Sequence, residues 1–125
     1  MESAEKNMPF PVLRISFPHE DRLGRGKMEL LEHIRETGSI SAAGRAMHMS
    51  YRRAWLLVSE MNRMFKEPVV ETQRGGQKGG GAGLTPFGYD LLVRFRRMEQ
   101  AVRLTLADDL TWLEANRASR PSAGT

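Results

Sequence analysis

Six of the ten residues from Arg74 to Gly83 are glycine, and Arg74, Gln77 and Lys78 stand among them. A glycine-rich loop can cradle a phosphate, so nucleotide chemistry is the first reading to test. A P-loop requires its lysine after the final glycine, followed by serine or threonine. Here Lys78 precedes Gly79, and no hydroxyl residue follows at that spacing. No GxGxxG occurs either. The alternative is a hairpin tip that approaches a sugar–phosphate groove closely, with Arg74, Gln77 and Lys78 as donors. A second constellation begins at Ser50 and continues Tyr51, Arg52, Arg53, Ala54, Trp55. Arginine can pair with guanine through two hydrogen bonds, and a tyrosine hydroxyl can bond a phosphate. Ser39, Ser41 and Ser50 can offer hydroxyls and helix N-termini to phosphates. Trp55 suits either a core or the rim of a groove.

Metal and redox chemistry find little support. Cysteine is absent, which excludes disulfides, thiolate zinc sites and iron–sulfur ligation. His19, His33 and His48 match no ligand spacing, and no cofactor is expected. Asp108 and Asp109 are neighbours in a helical stretch, so their carboxylates diverge and make a poor catalytic pair. The residues point away from an enzyme.

Charge supports a polyanion partner through its placement. Nineteen Lys and Arg against fifteen Asp and Glu give a net charge of +4 over 125 residues. Between Arg45 and Lys78 there are seven basic and three acidic residues, which is the whole excess. Concentrated positive charge gains free energy by releasing counterions from a nucleic acid. The longest apolar run, Ala54 to Val58, has five residues. A membrane-spanning helix needs about 20. The first ten residues lack the basic and apolar regions of a secretory signal, so the cytoplasm is the default location.

The elements that must position these groups follow from periodicity. Residues 1–11 and 117–125 read as flexible tails. Val12 to Phe17 alternates and predicts a strand, with a turn marked by Gly24 and Gly26. Lys27 to Glu36 predicts a helix with Leu30, Leu31 and Ile34 on one face, ended by Gly38. A short helix over Ser41 to Met47 is capped by Ser39 or Ser41, and its small residues invite close packing. His48 and Met49 form a break, and Ser50 caps a third helix reaching Lys66. There Ala54, Val58, Met61 and Phe65 share one face. Pro68 stops it, and Val69–Gln73 with Leu84–Thr85 predicts a hairpin. A long helix then runs from Pro86 to Asn116, with Leu91, Phe95, Met98, Val102, Leu106, Leu110 and Leu113 as an apolar stripe. The stripe is longer than one small domain needs, and its distal half reads as a dimer contact. The fold class is mainly α: a winged helix-turn-helix over residues 12–85 with a two-stranded wing, followed by a long dimerisation helix over 86–116.

Several segments then resemble a known family. GSIS at Gly38 to Ser41, SYRRAW at Ser50 to Trp55 and EMN at Glu60 to Asn62 are the first. GGQKGGGAGLT at Gly75 to Thr85 and FGYDLL at Phe87 to Leu92 continue the series. Together they resemble the DNA-binding domain of the molybdate-responsive regulators of the ModE family, itself similar to the helix-turn-helix of LysR-type regulators. The resemblance covers roughly Val12 to Val102. It implies a homodimer on a palindromic operator in double-stranded DNA, with the third helix in the major groove and the long helix between protomers. It implies Ser50, Tyr51, Arg52, Arg53 and Lys78 as DNA contacts. Arg52 and Arg53 occupy variable positions of the element, so the operator can differ. Family members carry oxyanion-binding domains after the long helix, where this sequence ends at Thr125. The resemblance therefore implies DNA binding without molybdate binding by the chain itself, any sensing falling to a separate oxyanion-binding protein or a heterodimer. The expected function is sequence-specific transcription regulation of molybdenum-related genes. The alternatives are a nonspecific architectural DNA-binding protein and a protein-interaction module built on the long helix.

Overall fold

The alternating residues after Val12 do form a strand, and it has a partner. The computed structural model describes residues 8–73 and 81–118. In it β1 (Arg14–Ser16) pairs antiparallel with β2 (Arg22–Gly24), with Ile15 opposite Leu23. A 3-10 turn over Pro18–Glu20 joins them, with His19 and Glu20 at positive φ. Leu23 is buried, while Arg14 and Arg22 face solvent. The second strand was hidden in the sequence because only one of its three residues is apolar.

Helix α1 (Arg25–Thr37) buries Met28, Leu30, Leu31 and Ile34. It ends as expected at Gly38, whose φ of 69° lets its N–H return to the Ile34 carbonyl at 2.8 Å. Helix α2 (Ile40–Ala46) is capped by Ser39, whose Oγ accepts from the Ala42 N–H at 3.0 Å. Ser41 lies inside the helix instead, and its Oγ accepts from Arg45 Nη1. The break falls at His48, at a φ of 58°. Helix α3 (Tyr51–Met64) follows, capped by Ser50 Oγ on the Arg53 N–H at 3.0 Å. The small residues of α2 do permit close approach: a Cβ on Gly44 would stand 3.0 Å from Ala54 Cβ.

The wing strands are β3 (Val70–Gln73) and β4 (Gly81–Leu84), antiparallel, with Val70 opposite Leu84 and Gln73 opposite Gly81. The tip bearing Arg74, Gln77 and Lys78 lies outside the described residues, as do most residues of both expected tails. Helix α4 (Pro86–Thr105) starts on a Thr85 cap, with proline in its first turn.

Two expectations about the last helix are corrected. It is not continuous to Asn116. Leu106, at φ −91° and ψ 4°, divides α4 from α5 (Ala107–Ala115). The β-branched Thr105 weakens the helix there, and Asp108 and Asp109 favour a fresh first turn. Nor does the whole stripe face outward. Leu91 is buried and Phe95 is 0% exposed, both inside this chain's own core with Leu31, Ile34 and Met61. Spacing identifies an apolar face but not which body covers it. Beyond Phe95 no described residue is buried. Arg96 marks the boundary. Its guanidinium bonds Glu32 of α1 through Nε (3.0 Å) and Nη2 (2.9 Å), and Glu99 through Nη1 at 2.8 Å. Burial acts to lower its pKa, but the hydrogen bonds to Glu32 and Glu99 prevail and raise it.

Candidate nucleic-acid interface

A reading helix must be held by one face and free on the other. On α3, Ala54, Leu57, Val58 and Met61 are buried in the core. Arg52, Leu56, Ser59 and Arg63 recur at spacings of four, three and four on the opposite face. Arg52, Leu56 and Arg63 on this face are exposed, Leu56 by 49%. Arg52 and Arg63 have no carboxylate within 4.0 Å among the described residues. Arg52 was expected in the site; Leu56, Ser59 and Arg63 were not. The signal was the recurrence of Arg52 around the helix, masked because Leu56 reads as a core residue. An exposed leucine between arginines can meet a thymine methyl.

The other expected residues distribute unevenly. Tyr51, Arg53 and Ser50 are exposed at the start of α3. Capping uses Ser39 and Ser50 only as acceptors, so each hydroxyl proton remains free for a phosphate oxygen. Trp55 is half-buried and packs against the core, with Tyr51 edge-on at 6.1 Å between ring centroids. Its indole Nε1 is buried with no acceptor among the described residues. The structure thus brings Ser50, Tyr51, Arg52 and Arg53 together at one helix end, while Trp55 supports them from beneath.

The base of the wing is fixed to three helices. Asn62 Oδ1 accepts from the Val69 and Val70 N–H groups at 2.7 and 3.1 Å, and its Nδ2 donates to the Val70 carbonyl at 3.0 Å. One α3 side chain therefore positions β3. The Ala82 N–H donates to the Gly38 carbonyl at 2.9 Å, tying β4 to the end of α1. Thr85 is buried; its hydroxyl donates to the Pro68 carbonyl at 2.7 Å and accepts from the Gly88 N–H at 2.9 Å. Wing, reading helix and α4 form one framework.

Helix, tight break, capped helix and docked hairpin together match a known pattern. Residues 26–89 match the model of the bacterial regulatory helix-turn-helix protein, lysR family. The chain belongs to this family. Among LysR-family structures, that of the transcriptional regulator VV2_1132 superposes with a TM-score of 0.51 at 18% identity, over 66% of this chain and 27% of that one. That likeness concerns the fold. Curated relatives are nearer in sequence. The molybdenum-pterin-binding protein MopB of Rhodobacter capsulatus is 43% identical over 86 residues, 69% of this chain and 32% of that protein. The DNA-binding transcriptional dual regulator ModE of Escherichia coli K12 is 38% identical over 89 residues, 66% of this chain and 33% of that protein. The chain thus spans about a third of these relatives' length. The LysR-type helix-turn-helix is regulatory, not enzymatic. Among the described residues, no helix is long and apolar enough to cross a membrane, and no cluster of three or more His, Cys, Asp or Glu could hold a metal.

Proposed function

We propose that this LysR-type helix-turn-helix reads a specific operator as a homodimer and regulates transcription of molybdenum-related genes. The observation that carries the reading is the free face of α3. A capped helix presents Arg52, Leu56 and Arg63 outward, is buried on its other side and is flanked by a fixed wing. Helix N-terminal residues entering the major groove can read base edges, while Ser39, Ser50 and Tyr51 hold phosphates. The tip residues Arg74, Gln77 and Lys78 would extend the contact along the backbone. The molybdenum assignment is carried by the names of MopB and ModE. Selection of bound duplexes from a random pool at about 0.15 M salt tests the reading, because nonspecific contacts are then partly screened. The expected result is a palindrome with half-sites about one helical turn apart, or a multiple. Retention without enrichment, vanishing as salt rises, would identify a nonspecific binder instead.

The dimer surface in this proposal is the part of α4 and α5 that leaves the core. Met98, Val102, Leu106, Leu110 and Leu113 lie beyond the last buried residue. Leu104 at 66% and Trp112 at 63% exposure, both outside the expected stripe, enlarge the apolar surface. Replacing Leu104 and Trp112 by glutamate should leave the domain folded, because neither enters its core, and should yield monomers in sedimentation equilibrium. Persistent dimers would place the interface elsewhere.

A further inference from the structure

A basic groove with an open volume of about 470 Å³ lies between the β1–β2 hairpin, the start of α1 and α3. Its charged lining is Arg14, Arg22, Arg25, Lys27, Arg53 and Glu60. Two of the cations are engaged. Lys27 Nζ lies 3.2 Å from Glu60 Oε1 and donates to the Arg22 carbonyl, and Arg25 pairs with Glu29 at 3.4 Å. Arg14, Arg22 and Arg53 are exposed and have no carboxylate within 4.0 Å among the described residues. The register puts Arg14 opposite Gly24 and Arg22 opposite Ser16, so the two arginines are diagonal neighbours on one face of the hairpin. Arg14 lies over Gly24, where a Cβ would meet its Cγ at 3.6 Å. Three uncompensated cations facing one groove repel each other, and an entering anion would reverse that cost.

The position of the groove selects the anion. Asn62 marks the flank of α3 that holds the wing. Arg53 and Glu60 lie on the other flank. A helix in the major groove, about 12 Å wide, has a phosphate backbone on each side. The wing serves one of them. We infer that the groove clamps a phosphate of the other backbone, through Arg14 and Arg22 from the hairpin and Arg53 from α3. The inference rests on the proposed DNA reading and adds the N-terminal hairpin to the interface.

The test is the double variant Arg14→Ala/Arg22→Ala, compared with wild type and with Arg52→Ala. Both hairpin arginines are exposed, and an unchanged melting curve confirms the fold. The double variant should weaken binding to the selected operator and to random duplex by similar factors. Its log–log salt slope should fall by about 2, at roughly 0.9 per phosphate contact. Ethylation interference should lose signals on the strand away from the wing. An unchanged slope and pattern, with Arg52→Ala still impaired on the operator, would overturn the groove assignment and leave the reader intact. Failure of the wild type to prefer any sequence would instead strike the reading beneath it. Inorganic phosphate titrated into the free protein separates the remaining source. Submillimolar binding that the double variant abolishes, with its salt slope unchanged, would assign the groove to a free oxyanion and overturn the backbone clamp.

Discussion

Substituting alanine for Gly88 should destabilise the domain by about 3 kcal/mol or more, because a rigid backbone group occupies the space that its Cβ needs. That Cβ would stand 2.2 Å from the Val69 carbonyl oxygen and 3.1 Å from its carbon. No rotamer relieves a clash between a Cβ and a peptide group. The same carbonyl accepts the Thr85 N–H at 3.0 Å, so retreat would break the joint between β3 and the start of α4. It would also disturb the Thr85 cap, which uses the Gly88 N–H. A thermal melt should show a midpoint lowered by roughly 10–20 °C for a domain of this size. Gly26→Ala is the matched control. It lies in α1 with nothing within 4 Å of its Cβ, and the gain in helix propensity should stabilise by up to about 1 kcal/mol. Equal losses in both variants would refute the close-contact explanation.

Operator binding should lose about 1–3 kcal/mol, roughly 5- to 150-fold in affinity, when Arg52 becomes alanine. Arg52 is exposed at the second position of α3 and without an acidic partner among the described residues, so its fork is free for a guanine edge. The loss should be accompanied by relaxed preference at one base pair of the half-site, while random duplex is affected far less. Arg52→Lys should retain most of the salt dependence but not the base preference, because an ammonium cannot reproduce the planar two-donor contact. The readout is affinity against an operator series with each position changed in turn. A uniform drop for all sequences would make Arg52 a phosphate contact rather than a reader.

The parts of this molecule legible in the sequence are those governed by local rules. Gly38 and Ser50 end and begin helices through bonds to their own neighbours, and both act as expected. The small residues of α2 announced the tight contact with α3. What failed to show were features set by distant partners. Leu91 and Phe95 belong to the same periodic stripe as Leu113, and only the packing of α4 on α1 and α3 tells core from surface. The strand β2 is visible only through its pairing with β1. Leu56 looked like a core residue because hydropathy does not state which side of a helix is free. Asn62 is a polar residue mid-helix whose purpose appears only when β3 lies beside it.

The docking of the wing separates what may vary from what must not. Gly38, Asn62 and Thr85 secure its base, all of them outside the stretch between Gln73 and Gly81. Doubling the length of a connecting loop costs only about 0.6 kcal/mol in closure entropy. The tip can therefore change in length and charge across descendants of this gene while the reading helix keeps its pose. The hairpin is a replaceable cassette on an invariant socket, and evolution can retune how tightly the protein grips DNA without altering which bases it reads.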